Sequence, residues 1–259
     1  MTEIFKVFQN KEEYFELLSN EKNSKKVTLQ QIGIIFLFSF FYGVVMGSYN
    51  SPLQALVSGL KVPSLLMLAL FICFPAFFVI QYMLGSRMTF KQMINMVLSG
   101  FVVLTTIMAS FAPIVIFFMI TGDNYNFLKL LHVAIFAFSG VFGMRTMIEA
   151  LTFSCEKKDV YPKIGLKVFK FWVVVFAFVG MQLAWNLRPF VGDQYSEFEL
   201  FREKEGNFYL AVFQSTAAMF VSTAQAEDIE EVKIKEPAKN IEKQVFVTDT
   251  TIVDTINHK

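Results

Sequence analysis

A stretch of 60 residues constrains this chain more than any other feature, because it holds a single charge. Between positions 27 and 86 the only Asp, Glu, Lys or Arg is Lys61. Further uncharged runs cover residues 92–122, 171–187 and 207–226. Apolar runs of about 20 residues match the hydrocarbon thickness of a lipid bilayer. The sequence therefore predicts a polytopic membrane protein whose apolar spans contact the lipid bilayer.

Composition and charge exclude other classes of protein. Hydrophobic residues make up 54% of the chain and charged residues 17%, whereas about 25% of an average soluble protein is charged. A chain this apolar is not disordered as a whole. The formal net charge of +1 gives no basic footprint for nucleic acid.

The continuous apolar character predicts helices, because strands of a membrane barrel would alternate in polarity. We expect an all-α fold, a transmembrane helical bundle of five or six spans. The sixth is the weakest because Gln214, Ser215 and Thr216 lie at its middle. The predicted spans cover residues 29–47, 63–84, 93–120, 126–146, 165–187 and 207–223.

Three regions result from this assignment. Residues 1–28 form a cytoplasmic amphipathic segment, with one short helix at about 4–18 lying on the membrane surface. Residues 29–224 form the transmembrane bundle. Residues 225–259 form an acidic tail that we expect to be disordered.

Residues 51–60 are predicted to form an interfacial or re-entrant helix on the outer side of the membrane. Ser51 and Pro52 are typical of a helix start. A second start is predicted from Thr28 and Gln31, which have capping-box spacing at the first span. The apolar face of the interfacial helix would rest in the headgroups, and its polar face would meet water. The apolar face holds Leu53, Leu56, Val57 and Leu60, and the polar face holds Gln54, Ser58 and Lys61.

The distribution of basic residues predicts the orientation. With these spans, one side of the membrane carries 12 Lys and Arg residues and the other carries 5. The positive-inside rule then places the N-terminus in the cytoplasm. The expected location is the inner membrane of a bacterium.

Polar groups within the predicted spans are the first candidates for a functional site, because they are costly to bury in lipid. His132 and Ser139 lie on one stripe of the fourth span, with Lys129 beside it. His132 is either a titrating or ligand-binding group in a polar cleft or a neutral side chain bonded to a neighbouring helix. The second interpretation is preferred.

Three further pairs have helical spacing. Arg145 and Glu149 are predicted to form an interfacial ion pair that ends the fourth span. Gln182 and Asn186 in the fifth span either bond between helices or bind a substrate, and the first is preferred. The glycines at 43 and 47 fit close packing within the chain as well as dimerisation.

Signatures of known enzymes are missing from the sequence, so no catalytic residue, metal or cofactor is predicted. The bundle has one intramembrane histidine, too few for a catalytic zinc site. Cys73 and Cys155 lie in different environments and are not expected to pair.

Several segments resemble a family of bacterial polytopic inner-membrane proteins. They are Gly47-Ser-Tyr-Asn-Ser-Pro-Leu-Gln-Ala-Leu, Lys61-Val-Pro-Ser-Leu, Ala112-Pro-Ile-Val, Leu130-Leu-His and Trp185-Asn-Leu-Arg-Pro-Phe. The resemblance covers residues 47–209 and implies a topology without an activity. A polar N-terminal segment before about five short-looped spans is also similar to the architecture of the Yip family of trafficking proteins, by analogy only.

Two functions follow as hypotheses. The first is a non-enzymatic membrane protein that is a subunit or organiser of a membrane assembly, with a membrane-protein partner or a second copy of itself. The alternative is a small-solute or ion transporter or channel. Few intramembrane acids and no visible repeat count against the alternative.

Overall fold

The computed structural model describes residues 2–20, 24–121, 125–156 and 163–191. All of them lie in the first of two compact units of the chain, Met1–Ala211. Helices are the only regular secondary structure among these residues, which confirms the all-α class. The predicted sixth span and the acidic tail lie outside the described residues. The helices are α1 (Thr2–Gln9), α2 (Lys11–Ser19), α3 (Ser24–Gly47), α4 (Pro52–Met83), α5 (Phe90–Thr121), α6 (Tyr125–Glu156) and α7 (Lys163–Leu187).

Five of these helices, α3 to α7, are long and apolar enough to cross a membrane. Helices satisfy their backbone hydrogen bonds internally, which the bilayer core requires. Large apolar side chains on their outer surfaces are exposed, among them Phe71, Ile120 and Phe171. The chain is an integral, multi-pass membrane protein whose outer surface contacts lipid.

The five long helices pack as a closed ring in the order α3, α4, α7, α6, α5. Helices that follow one another along the chain run in opposite directions. The starts of α3, α5 and α7 therefore lie at one end of the ring, together with the ends of α4 and α6. One end, here called the basic end, carries Lys25, Lys26, Arg87, Lys91 and Lys163. The connection 48–51 and the residues after α7 lie at the opposite end.

Aromatic side chains fill the interior of the ring. Phe77 of α4 lies 4.5 Å from Trp172 of α7, between ring centroids. Trp172 lies 5.3 Å from Phe176, which in turn contacts Phe101 of α5 at 5.4 Å. Around them lies a continuous cluster of buried aliphatic residues. Close packing of this kind leaves a solid core between the described helices.

Glycines allow two pairs of helices to approach closely. A β-carbon at Gly43 would lie 2.5 Å from the carbonyl oxygen of Ser58, so α3 packs directly on α4. A β-carbon at Gly143 would lie 2.7 Å from the carbonyl oxygen of Gly100, where α5 crosses α6. Such contacts drive helix association in lipid. The glycine pair at 43 and 47 therefore serves packing within the chain.

The predicted interfacial or re-entrant helix at residues 51–60 is helical but continues into the second span, because this segment is the beginning of α4. Its start is correct, since the Ser51 hydroxyl accepts the backbone N–H of Gln54 at 3.2 Å. Its apolar residues face outward, with Leu56 57% exposed, and its polar residues face the bundle. The segment therefore has the expected apolar and polar faces. Its apolar face lies on the lipid-facing surface of the bundle, and its polar face contacts the other helices.

The predicted N-terminal helix is two helices, because Asn10 interrupts it and caps α2 through Glu13 N–H. Val7 of α1 and the apolar side chains of α2 pack on the bundle instead of lying in the membrane surface. Tyr14 and Leu18 are fully buried, and the Phe15 ring lies 5.7 Å from that of Phe153. The bundle offers α2 a packed apolar contact that the headgroup region does not.

The predicted capping box of Thr28 and Gln31 is also wrong, because α3 begins one turn earlier, at Ser24. Both side chains lie inside the helix and bond to other helices. The Thr28 hydroxyl donates to Asn95 Oδ1 of α5 at 2.5 Å. Thr28 and Gln31 therefore connect α3 to α2 and α5 and do not cap it.

Candidate functional site

His132 lies buried in the bundle with its Nδ1 atom 2.8 Å from the Tyr42 hydroxyl. Tyr42 is on α3 and His132 is on α6, two helices that are not adjacent in the ring. The two aromatic rings are nearly perpendicular, at 84°, with centroids 5.7 Å apart. The histidine therefore lies in a buried environment and is hydrogen-bonded to a helix across the ring.

The other residues of the predicted stripe do not join His132 in one site. Ser139 is fully buried, and its hydroxyl donates to the Ile135 carbonyl of its own helix at 2.6 Å. Lys129 extends over the Tyr125 ring, with Nζ 4.5 Å from the centroid. A serine bonded back to its own helix is a common way to satisfy a hydroxyl within a membrane span.

Gln182 and Asn186 lie in the last two turns of α7. Gln182 is half-buried and Asn186 is exposed. The Asn186 amide donates to the Gln182 carbonyl of the same helix at 2.9 Å. Within the described residues, neither side chain forms a hydrogen bond to another helix.

Arg145 and Glu149 form the predicted pair, with Arg145 Nε 3.2 Å from Glu149 Oε1. The structure adds a third member, because Lys11 Nζ of α2 lies 2.6 Å from Glu149 Oε2. Glu149 therefore connects the end of α6 to the N-terminal helices. Sequence spacing shows pairs within one helix and cannot show a partner 138 positions away.

Sequence reasoning missed a polar cluster on the inner face of α4. Ser58 donates to the Phe190 carbonyl at 2.6 Å, and Gln54 Nε2 donates to the Pro189 carbonyl at 3.2 Å. Lys61 Nζ donates to the same Pro189 oxygen at 3.1 Å. The three donors hold the turn that follows α7. The signal in the sequence is the spacing of residues 54, 58 and 61 along one helix face. The same spacing also fits a face that meets water, which is what we expected.

Lys61 makes this cluster unusual, because a lysine in a membrane helix is only 7% exposed there. Its ammonium group is a donor only, and the Pro189 carbonyl accepts one of its hydrogen bonds. A fourth donor from α6, the Tyr125 hydroxyl, contacts the Val191 carbonyl at 3.1 Å. The arrangement fixes the end of α7 against α4 and α6.

A second polar network lies at the basic end, where α2, α3 and α5 meet. Gln31 Nε2 donates to the Tyr14 hydroxyl at 2.9 Å and to the Asn95 carbonyl at 3.1 Å. Asn95 Nδ2 donates to the Ser24 hydroxyl at 3.0 Å. Burial raises the pKa of the Tyr14 phenol well above its usual value of 10.0. The network therefore holds α2 in place with its tyrosine protonated.

The described residues contain no group of three His, Cys, Asp or Glu side chains that could hold a metal ion. Cys73 and Cys155 are both free. Comparison with protein-family models, curated proteins and solved structures gave no match. The site geometry is accordingly the main basis for a functional proposal.

Proposed function

We propose that this protein is a non-enzymatic subunit or organiser of a membrane assembly. One observation carries the proposal, namely the docking of α2 on the basic end of the bundle. Tyr14, Phe15 and Leu18 are buried on its inner side. Its outer side exposes the carboxylates of Glu12 and Glu16. A helix fixed by its apolar face presents its polar face in one orientation, which suits recognition of a partner.

The packed interior supports the same proposal. The aromatic side chains between α4, α5 and α7 fill the region where a channel between the described helices would run. The most buried candidate polar groups, His132 and Ser139, bond to the protein itself. Side chains engaged in this way hold a scaffold together.

The expected setting is the inner membrane of a bacterium, with the basic end and α2 in the cytoplasm. The positive-inside rule supports this orientation, because basic residues gather at that end. The resemblance to bacterial inner-membrane proteins supports the location. In this setting α2 faces cytoplasmic partners, and the outer surfaces of α3 to α7 face lipid or another membrane protein.

Purification from native membranes tests the proposal. A photo-crosslinking residue at position 12 or 16 should give one discrete product, and the same partner should co-purify in fixed stoichiometry. The matched control places the crosslinker at Phe178, on the lipid-facing surface of α7. A monodisperse monomer that carries a bound small solute, with no product from position 12 or 16, would contradict the proposal.

The second candidate function is a small-solute or ion transporter or channel, and Lys61 is the observation that favours it. Ionisable residues inside membrane proteins often mark a path for ions or substrates. Purified protein in liposomes should then pass ions or small solutes, and Lys61→Met should abolish the flux while Lys61→Arg retains part of it. Liposomes as tight as protein-free controls would count against this function.

A further inference from the structure

A groove on the outer surface of the bundle has the chemistry of a lipid-binding site. It lies between α3 and α5 at the basic end. Two lysines, one threonine and four apolar side chains line it. They are Lys25, Thr28, Leu29 and Ile32 of α3 with Phe90, Lys91 and Ile94 of α5.

Both helices place these residues in the same order. On α3, Lys25 comes first, and Leu29 and Ile32 follow one and two turns further into the span. On α5, Phe90 and Lys91 lie at the helix start, and Ile94 follows one turn later. Each wall of the groove therefore changes from a positive charge at the membrane surface to apolar side chains towards the membrane interior.

The two charges are available to a ligand. Lys25 and Lys91 are exposed, and within the described ranges neither forms an ion pair with an acidic side chain. In contrast, Lys11 at the same end is paired with Glu149. Two adjacent positive charges without a described carboxylate attract an anion, and the attraction is strongest near the low dielectric of lipid.

We propose that this groove binds one anionic phospholipid. The headgroup phosphate lies between Lys25 and Lys91, and an acyl chain lies along Leu29, Ile32 and Ile94. Basic pockets between transmembrane helices recognise anionic headgroups in this way. A zwitterionic lipid fits less well, because its own cation meets the two lysines. The inference is independent of the proposed role as an organiser.

The bound lipid would connect α3 to α5 at the end where α2 docks. Thr28, which lines the groove, donates a hydrogen bond to Asn95 and so already connects the same two helices. A phosphate that contacts both lysines adds a second connection on the lipid side. The lipid therefore stabilises the bundle as well as occupying its surface.

Thermal unfolding of the full chain in neutral detergent tests the proposal. Phosphatidylglycerol should raise the unfolding temperature, and phosphatidylcholine with the same acyl chains should raise it less. Lys25→Gln with Lys91→Gln should weaken phosphatidylglycerol binding about 30-fold, from about 1 kcal/mol for each lysine near an anionic surface. Equal effects of the two lipids on the unaltered chain would overturn the proposal.

The matched control is the double variant Lys26→Gln with Arg87→Gln. It removes the same charge from the same end, but neither residue lines the groove. Its binding should stay within about threefold of the unaltered chain, since the headgroup contacts remain. Equal weakening in both double variants would show a general charge effect and overturn the site. Stabilisation by inorganic phosphate alone, at the same concentration, would show a free-anion site instead of a lipid site.

A third measurement keeps the proposal testable if the double variant does not fold. Photoactivatable phosphatidylglycerol is added to the unaltered protein, and crosslinked peptides are identified by mass spectrometry. Crosslinks should concentrate on residues 25–32 and 90–94. Crosslinks spread evenly over the lipid-facing surfaces of α4, α6 and α7 would contradict a specific site.

Discussion

The Tyr42 hydroxyl and the His132 Nδ1 atom are 2.8 Å apart and join two helices on opposite sides of the ring. Each side chain is buried, so neither can exchange this hydrogen bond for one with water. A buried polar group that loses its partner costs about 1–3 kcal/mol. The pair therefore acts as an internal tie at the end opposite α2.

A double-mutant cycle on this pair should show coupling. Tyr42→Phe and His132→Leu should each lower the free energy of unfolding, and the coupling energy should be about 0.6–1.7 kcal/mol, the range for hydrogen bonds between membrane helices. Chemical unfolding in mixed micelles measures it. The control is Tyr82→Phe, because Tyr82 is 70% exposed. A His132→Gln variant of normal stability that loses its physiological role would favour a functional histidine.

Substitution of Gly143 should destabilise the crossing of α5 and α6. Its added β-carbon would meet the Gly100 carbonyl at 2.7 Å, and backbone cannot move aside as a side chain can. We expect Gly143→Ala to lower the free energy of unfolding by about 1–3 kcal/mol. Gly140→Ala is the matched control on the same helix, since, apart from its own helix backbone and chain neighbours, no described atom lies within 4 Å of its added carbon. Helix propensity alone would favour alanine at both positions, so equal losses in the two variants would mean that the contact with Gly100 is not the cause.

Alkaline pH should weaken the docking of α2 through Tyr14. The pKa of this phenol is raised in the folded state, so its contribution is fully present below the unfolded value of 10.0 and is lost as pH rises above it. Unfolding temperatures measured between about pH 9 and 11 should fall more steeply for the unaltered chain than for Tyr14→Phe. Parallel curves for the two proteins would assign the pH dependence to other groups, and Tyr82→Phe provides the control.

Cysteine labelling should distinguish the two faces of α2. In a background without Cys73 and Cys155, a cysteine at Glu16 should react rapidly with maleimide, and one at Leu18 should react at least about tenfold more slowly because burial excludes the reagent. Leu18 is fully buried and Glu16 is exposed. Equal rates would show that α2 leaves the bundle in solution, and the proposal of a fixed partner surface would fail.

The orientation of the bundle is testable from outside intact cells. A membrane-impermeant maleimide should label a cysteine at Asn186 and leave one at Lys26 unlabelled, because the basic end is expected in the cytoplasm. Both positions are exposed and lie at opposite ends of the bundle. Labelling after permeabilisation shows that Lys26→Cys is reactive. The reverse pattern in intact cells would invert the topology.

Hydropathy predicted the five long helices because lipid imposes one simple requirement, an apolar surface of sufficient length. It could not give their ends. Thr28 looked like a cap, but its partner is Asn95 of another helix. Gln54 and Ser58 looked solvated, but they bond the turn after α7. A polar side chain near a span end has either water or another helix as its partner, and local spacing does not distinguish them.

The candidate site divides in the same way. His132 stood out because it is the one histidine in a predicted span, yet its partner Tyr42 lies 90 positions away and is one of eight tyrosines. The ion pair of Arg145 and Glu149 follows from helical spacing, whereas its third member, Lys11, depends on how α2 docks. Contacts within a helix are local properties of the sequence, and contacts between helices are properties of the packed bundle.

Three of the long helices, α4, α5 and α6, each have 32 residues. At 1.5 Å per residue such a helix is about 48 Å long, against about 30 Å for the hydrocarbon core. Either the helices of the ring tilt, or the bilayer around them thickens, and the elastic cost is larger in thinner membranes. In a cell whose membranes differ in thickness, this mismatch would gather the protein, together with anything bound to α2, into the thickest regions.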